Sequence, residues 1–347
     1  MGDDINYACM TKSLHRIHDK LVAVKQKDRE NTTRIICNSL RVILKDMVGS
    51  DATLASLHPK IQIMRTYFEG LQIDQPKVID VYLELTAFLG KHARKSIEMQ
   101  SLQSPLYSTL IKPGISPNIN SDGLLSGDKL TKLVRSALQK CHDKQSTKTT
   151  PKLFEIVHSE TDFYVKIIQQ KILINLIPVI SMNLDKKTRG SLVDYEKARH
   201  LGPEYLLVPQ NEVDWMITFP QQEKRLLKSK YHLKFVLRLV KLLLKKQEIE
   251  LTEECIKNMF LLEIEKNSAT FWILKGKGYI LMHMLKVLRD YLKIGAMPNY
   301  WCQISDLFEG IDGETLKLWS DKLSMIIDNI NSKRGSQMNE AITKCFV

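Results

Sequence analysis

The sequence predicts an α+β protein, with a mixed sheet in the first two-thirds of the chain and helices alone after it. Two observations carry this. Alternating apolar runs of strand character stand far apart in the first part, at Val78–Leu85, Leu153–His158, Phe163–Ile168 and Ile172–Ser181. From Asp214 onward only helical spacing is read, over residues 218–230, 231–247, 252–265, 276–294 and 314–332. The change falls near Gly202-Pro203 and Pro209 and divides the chain into 1–207 and 208–347.

Each element has a local reason. Leu14, Ile17, Leu21 and Val24 recur at helical spacing, as do Ile35, Leu40, Val42, Ile43 and Met47, so residues 5–48 read as two helices. Gly49-Ser50-Asp51 stops the second. Pro105–Lys112 reads as a short strand, and the Gly/Pro/Ser/Asn-rich Pro113–Asp128 as a loop. Residues 128–142 form an amphipathic helix with Leu130, Leu133, Val134 and Leu138 on one stripe, and the polar tract 143–151 is a second loop.

Composition narrows the class. The 347 residues are 44% hydrophobic and 26% charged, which fits globular structure and excludes global disorder. No stretch approaches the roughly 18 apolar residues of a membrane helix, and the N-terminus lacks an apolar leader core. No membrane partner and no secretion are expected. The six cysteines are widely and irregularly spaced, with no CxxC, which points to a reducing cytoplasm or nucleus and away from a zinc site. The net charge of +12 makes anionic partners plausible, whether nucleic acid, nucleotide or acidic protein.

Three motifs then stand in order. Tyr67-Phe68-Glu69-Gly70-Leu71 leads to Val78-Ile79-Asp80-Val81; Tyr205-Leu206-Leu207-Val208-Pro209 leads through Asp214–Phe219 to Glu223-Lys224-Arg225-Leu226-Leu227; Gly295–Trp301 leads to Asp306-Leu307-Phe308. Together they resemble the Mab-twenty-one-like (male-abnormal) family, which includes cyclic GMP-AMP synthase. The resemblance implies a nucleotidyltransferase-like core with an N-terminal spine helix and a C-terminal helical lobe. It also implies a site where an acid-x-acid pair, a third acid and an upstream Gly-Ser turn hold two Mg²⁺ ions and a triphosphate. Carboxylates suit that task because hard divalent cations take oxygen ligands, and alternate strand residues share a face.

At the matching positions the chain reads Val78-Ile79-Asp80, with Asn175 for the third acid and Arg65-Thr66 for the Gly-Ser turn. One carboxylate and one amide therefore stand where three carboxylates are implied, and no catalytic residue or cofactor is expected; Mg²⁺ enters only if the chain is an enzyme. The base-stacking positions read Met216 and Glu254. Glu223, Lys224, Arg238 and Lys241 match polar and basic nucleotide-pocket positions, with a solvated helix face as the plainer reading. Residues 224–246 hold nine Lys/Arg and no acid, so Lys228, Lys230, Lys234 and Lys245 are candidates for a sequence-nonspecific nucleic-acid surface. His232 stands alone and is expected to be an ordinary helix residue. Trp215, Trp272 and Trp301 are expected as packing residues at the lobe contacts, with Trp215 and Phe219 buried where the helical lobe joins the core and sharing a helix face if that turn is already helical.

Three functions follow from these readings: a degenerate Mab-twenty-one-like scaffold for an unnamed protein partner, an active cyclic-dinucleotide synthase sensing nucleic acid, or a non-catalytic nucleic-acid-binding module. The metal triad separates the first from the second.

Overall fold

Apolar residues at helical spacing near the N-terminus are the ones the fold buries: Leu14 and Ile17 on one helix, Ile36, Leu40, Ile43 and Met47 on the next. The computed structural model describes residues 7–22, 24–62, 69–87, 97–101, 106–111, 120–121, 124–146, 152–158, 163–168, 172–183, 195–202, 204–302 and 305–347. After a 3₁₀ turn, Tyr7–Met10, come α1 (Thr11–Leu21), α2 (Gln26–Ser50) and α3 (Ala52–Ser56). Strands β1 (Pro59–Gln62), β2 (Val78–Leu85), β3 (Ile97–Ser101), β4 (Leu106–Ile111), β5 (Asn120–Ser121) and β6 (Leu124–Leu125) precede α4 (Gly127–Ser146). Then come β7 (Phe154–His158), β8 (Phe163–Ile167), β9 (Ile172–Asn183), α5 (Tyr195–Leu201), β10 (Glu204–Pro209) and β11 (Asp214–Thr218). The remainder is α6 (Pro220–Leu227), α7 (Tyr231–Lys246), α8 (Glu253–Lys266), α9 (Phe271–Leu274), α10 (Lys277–Ile294), α11 (Gly313–Asn331) and α12 (Gly335–Lys344).

Two units are formed. Residues Gln26–Gly70 and Pro76–Gln222 make the sheet unit; Met1–Lys25, Leu71–Gln75 and Glu223–Val347 make the helical unit. The sheet runs β1-β2-β9-β10-β11-β4-β6-β5, with β3 against β4 and the β7–β8 hairpin against β9. It is mixed: β2 and β9 are parallel, whereas β9–β10 and β10–β11 are antiparallel. The side chains of β2 alternate. Ile79, Val81, Leu83 and Leu85 are buried on one face, and Asp80, Tyr82 and Glu84 lie on the other. This is the mixed-sheet core with a helical C-terminal region that the sequence predicts.

Several elements depart from expectation: the tract 113–128, read as loop, holds the two-residue strands β5 and β6, and the larger change lies after β10. Residues Asp214–Thr218 form a strand, antiparallel to β10, and helix begins only at Pro220. The turn between the strands explains it. Asn211 Oδ1 accepts from the N–H groups of Val213 and Asp214 at 3.0 and 2.9 Å, a side-chain turn that reverses the chain. Trp215 is therefore a strand residue of the sheet unit, not a helical-lobe residue sharing a helix face with Phe219. Its indole Nε1 donates to the Leu125 carbonyl at 3.2 Å, and both Trp215 and Phe219 are fully buried. Gly127 sits under the same turn. A Cβ there would lie 2.7 Å from the Asn211 carbonyl oxygen, so only glycine allows α4 to start this close. Helix α4 also continues to Ser146, into the tract read as loop, and α12 adds a helix the periodicity did not mark.

Candidate functional site

The parallel register of β2 and β9 sets Asp80 directly beside Asn175. Asn175 Nδ2 donates to Asp80 Oδ1 at 3.0 Å. Val78 occupies the same face two residues earlier, in register with Leu173. Further along, Tyr82, Val179, Leu206 and Val208 form a buried apolar cluster with Ile177 packed against it. Glu84 closes this face; it is buried and accepts a hydrogen bond from Gln62 Nε2 on β1. Four strand residues separate it from Asp80, about 13 Å. Among the described residues, no three His, Cys, Asp or Glu side chains converge as a metal-holding group. Arg65-Thr66 and Tyr67-Phe68 lie outside the described residues.

The expected nucleotide-pocket residues go to different places. Met216 is half-buried on β11, in register with Val208. In the helical unit, Glu223 is buried and fully engaged: Trp301 Nε1 donates to Oε1 at 3.0 Å and Lys257 Nζ lies 2.7 Å from Oε2. Lys241 is buried as well, with Nζ 3.2 Å from Glu253 Oε1, at the wall of a cleft of about 400 Å³ lined also by Leu244, Ile249 and Ile256. A solvated helix face thus describes Lys224 and Glu254, which are exposed, but not Glu223 or Lys241. Arg238 is half-buried near His18, whose imidazole is held below its usual range by burial and then by the Arg238 charge. Glu223 and Lys241 serve separate local pairs.

Comparison with known proteins places the architecture. Residues 232–325, from α7 into α11, match the Mab-21 protein HhH/H2TH-like domain. A cyclic GMP-AMP synthase-like receptor of Tribolium castaneum is 28% identical over 150 residues, 41% of this chain and 37% of the relative. Receptors of the same name from Ctenocephalides felis and Aethina tumida are each 19% identical, covering 95% and 94% of this chain and 86% and 89% of theirs. The chain is thus similar, at a distance, to Mab-21 and cyclic GMP-AMP synthase-like proteins.

The basic stretch 224–246 does not form one continuous surface. Helix α7 is buried nearly all round, from Leu233 to Leu244, leaving Lys234 and Arg238 half-buried. Exposed cations collect at its two ends, with Lys224, Arg225 and Lys228 before it and Lys245 and Lys246 at its close. Lys230 is half-buried, donates to the Leu226 carbonyl, and burial lowers its pKa. Lys245 is paired with Asp74. His232 has an ordinary structural role, with Nδ1 3.1 Å from the Lys275 carbonyl oxygen. Trp272 and Trp301 are buried within the helical unit. Sequence reasoning missed the partners of Glu223 and Lys241, because Trp301 and Glu253 are supplied by other segments at no periodic spacing. Among the described residues no helix is long and apolar enough to cross a membrane.

Proposed function

We propose that this Mab-21 relative is a catalytically degenerate nucleotidyltransferase-fold protein, acting in the cytoplasm or nucleus as a binding, adaptor or regulatory scaffold. The observation that carries this is the Asp80–Asn175 pair beside Val78. Nucleotide transfer of the two-metal kind needs anionic oxygens bridging both ions. Here the matching positions among the described residues offer one carboxylate, and a neutral amide donates its N–H to that carboxylate rather than offering a charge. These residues do not fit two divalent cations. Glu84 cannot replace a missing acid, being about 13 Å along the strand and committed to Gln62.

The test is incubation of the full chain with ATP, GTP and Mg²⁺ or Mn²⁺, with and without double-stranded RNA or DNA. We expect no nucleotidyl product in any arm. A linear or cyclic dinucleotide that disappears on Asp80→Ala would overturn the reading. It would favour the second one, an active synthase, to which the names of the insect relatives lend support. Duplex binding without product, steeply weakened by salt, would favour a nucleic-acid-binding module using the exposed lysines Lys228 and Lys245 together with the half-buried Lys230 and Lys234.

A further inference from the structure

One surface of the helical unit gathers exposed apolar and aromatic side chains. Tyr231, Ile273 and Leu274 are 80%, 57% and 78% exposed, although each is a large apolar or aromatic side chain. Tyr231 and the adjacent pair Ile273-Leu274 belong to segments some forty residues apart in sequence that meet in space. His232 Nδ1 meets the Lys275 carbonyl oxygen at 3.1 Å, which fastens the first turn of α7 to the end of the one-turn helix α9. Tyr279 joins the same group, 39% exposed, with the Lys275 amine 4.9 Å from its ring centre. Cations rim this tip: Lys228 and Lys275 are exposed, and Lys230 immediately precedes Tyr231. The two stretches that form the tip, 224–247 and 266–289, contain no Asp or Glu; Asp19 of α1 is an anion within electrostatic reach of Lys277.

We infer that this tip docks on an anionic lipid surface, with Ile273 and Leu274 entering the headgroup–acyl boundary and the lysines resting on lipid phosphates. The shape and the chemistry select this occupant. A duplex would meet the lysines through its phosphates but would gain nothing from two bare aliphatic side chains. A peptide partner would be gripped by a groove, whereas Ile273 and Leu274 protrude into solvent and do not line the cleft that runs from Ile73 to Ile256. A protruding aliphatic pair, flanked by tyrosines suited to an interface and lysines with long stems, matches a fluid bilayer surface. The expectation of no membrane partner rested on the lack of a spanning apolar segment. A surface contact needs only a few exposed side chains.

The experiment is flotation of the full chain with vesicles of phosphatidylcholine alone or with added phosphatidylserine, at two salt concentrations. Binding is expected to the mixed vesicles, weaker at high salt. The double substitution Ile273→Ser and Leu274→Ser should lower partitioning by about tenfold or more, by the apolar area it removes. Thermal melting should be unchanged, because both side chains already face solvent. A separate Leu274→Trp variant should show a blue-shifted emission on adding mixed vesicles. The proposal is overturned if mixed vesicles are not bound at low salt. It is equally overturned if the double substitution leaves vesicle binding intact.

Discussion

Asp80 and Asn175 show what a single position can reveal. Their types, and Val78 in place of an acid, were legible in the sequence, and so was their juxtaposition, through the resemblance. The amide donating to the carboxylate was not, because it depends on a register set by two strands some ninety residues apart. Asp51 shows a carboxylate whose role is structural. It accepts from the Leu54 N–H at 3.0 Å, capping α3, and receives the Lys140 amine at 2.8 Å. Burial alone would raise its pKa; the Lys140 and backbone hydrogen bonds outweigh that and hold it below the usual value. A depressed folded pKa means this stabilisation is complete above the unfolded pKa, near 4, and is lost as pH falls through the folded value. Asp51→Asn keeps the cap acceptor and removes the charge. It should cost roughly 0.5–1 kcal/mol at neutral pH, the Lys140 side chain being half exposed to solvent. Denaturant titration should show the full difference at pH 7 and a difference that shrinks as the pH falls below about 4. A pH-independent difference would reject the charge as its cause.

Elements were read well where one period was unmistakable and badly where two periods share a spacing. Trp215 and Phe219 are four apart, which suits one helix face, but four is also a multiple of the strand repeat. Only the Asn211 turn, pairing β10 with β11, decides between them. Helix α7 misled in another way. Its apolar residues occur almost all round, the signature of a buried helix, and the interleaved lysines made it look like an outer surface. Helix starts offer a test of packing against propensity. Gly278 lies in the first turn of α10, where an added Cβ would stand 2.4 Å from the Tyr7 carbonyl oxygen. Gly313 opens α11 with nothing within 4 Å. Replacing glycine by alanine in a helix ordinarily gains about 0.5–1 kcal/mol. Gly313→Ala should therefore raise the melting temperature. Gly278→Ala should lower it, because backbone rather than a flexible side chain must move. Equal shifts of the same sign would show that the approach of Tyr7 to α10 is unimportant.

At the level of the whole chain, the helical unit is assembled from distant pieces of sequence. Its N-terminal piece is tied to its last helices: the Tyr7 hydroxyl donates to Asn331 Oδ1 at 2.7 Å, and Ser13 Oγ donates to Asn339 Oδ1 at 3.0 Å. Tyr7, Met10, Leu14 and Ile17 are all buried there. No local pattern in the sequence announces pairings across some three hundred residues; periodicity marks which face of α1 is apolar but not what covers it. The energetic weight of this piece can be bounded. Burying four large side chains contributes roughly 1.5–3 kcal/mol each, a sum comparable to the 5–15 kcal/mol that separates a folded domain from its unfolded state. Deleting residues 1–25 should therefore leave the helical unit without a cooperative melt and expose the apolar side of α10 and α12. Tryptophan reports this selectively. Trp272, Trp301 and Trp319 belong to the helical unit and are buried, whereas Trp215 is in the sheet unit. The truncated chain should show red-shifted emission and a weakened near-ultraviolet dichroism dominated by those three indoles, and the dye-binding typical of exposed apolar surface. A sharp melt at the full-length temperature, with unshifted emission, would mean that Met10, Leu14 and Ile17 cover a core that closes without them.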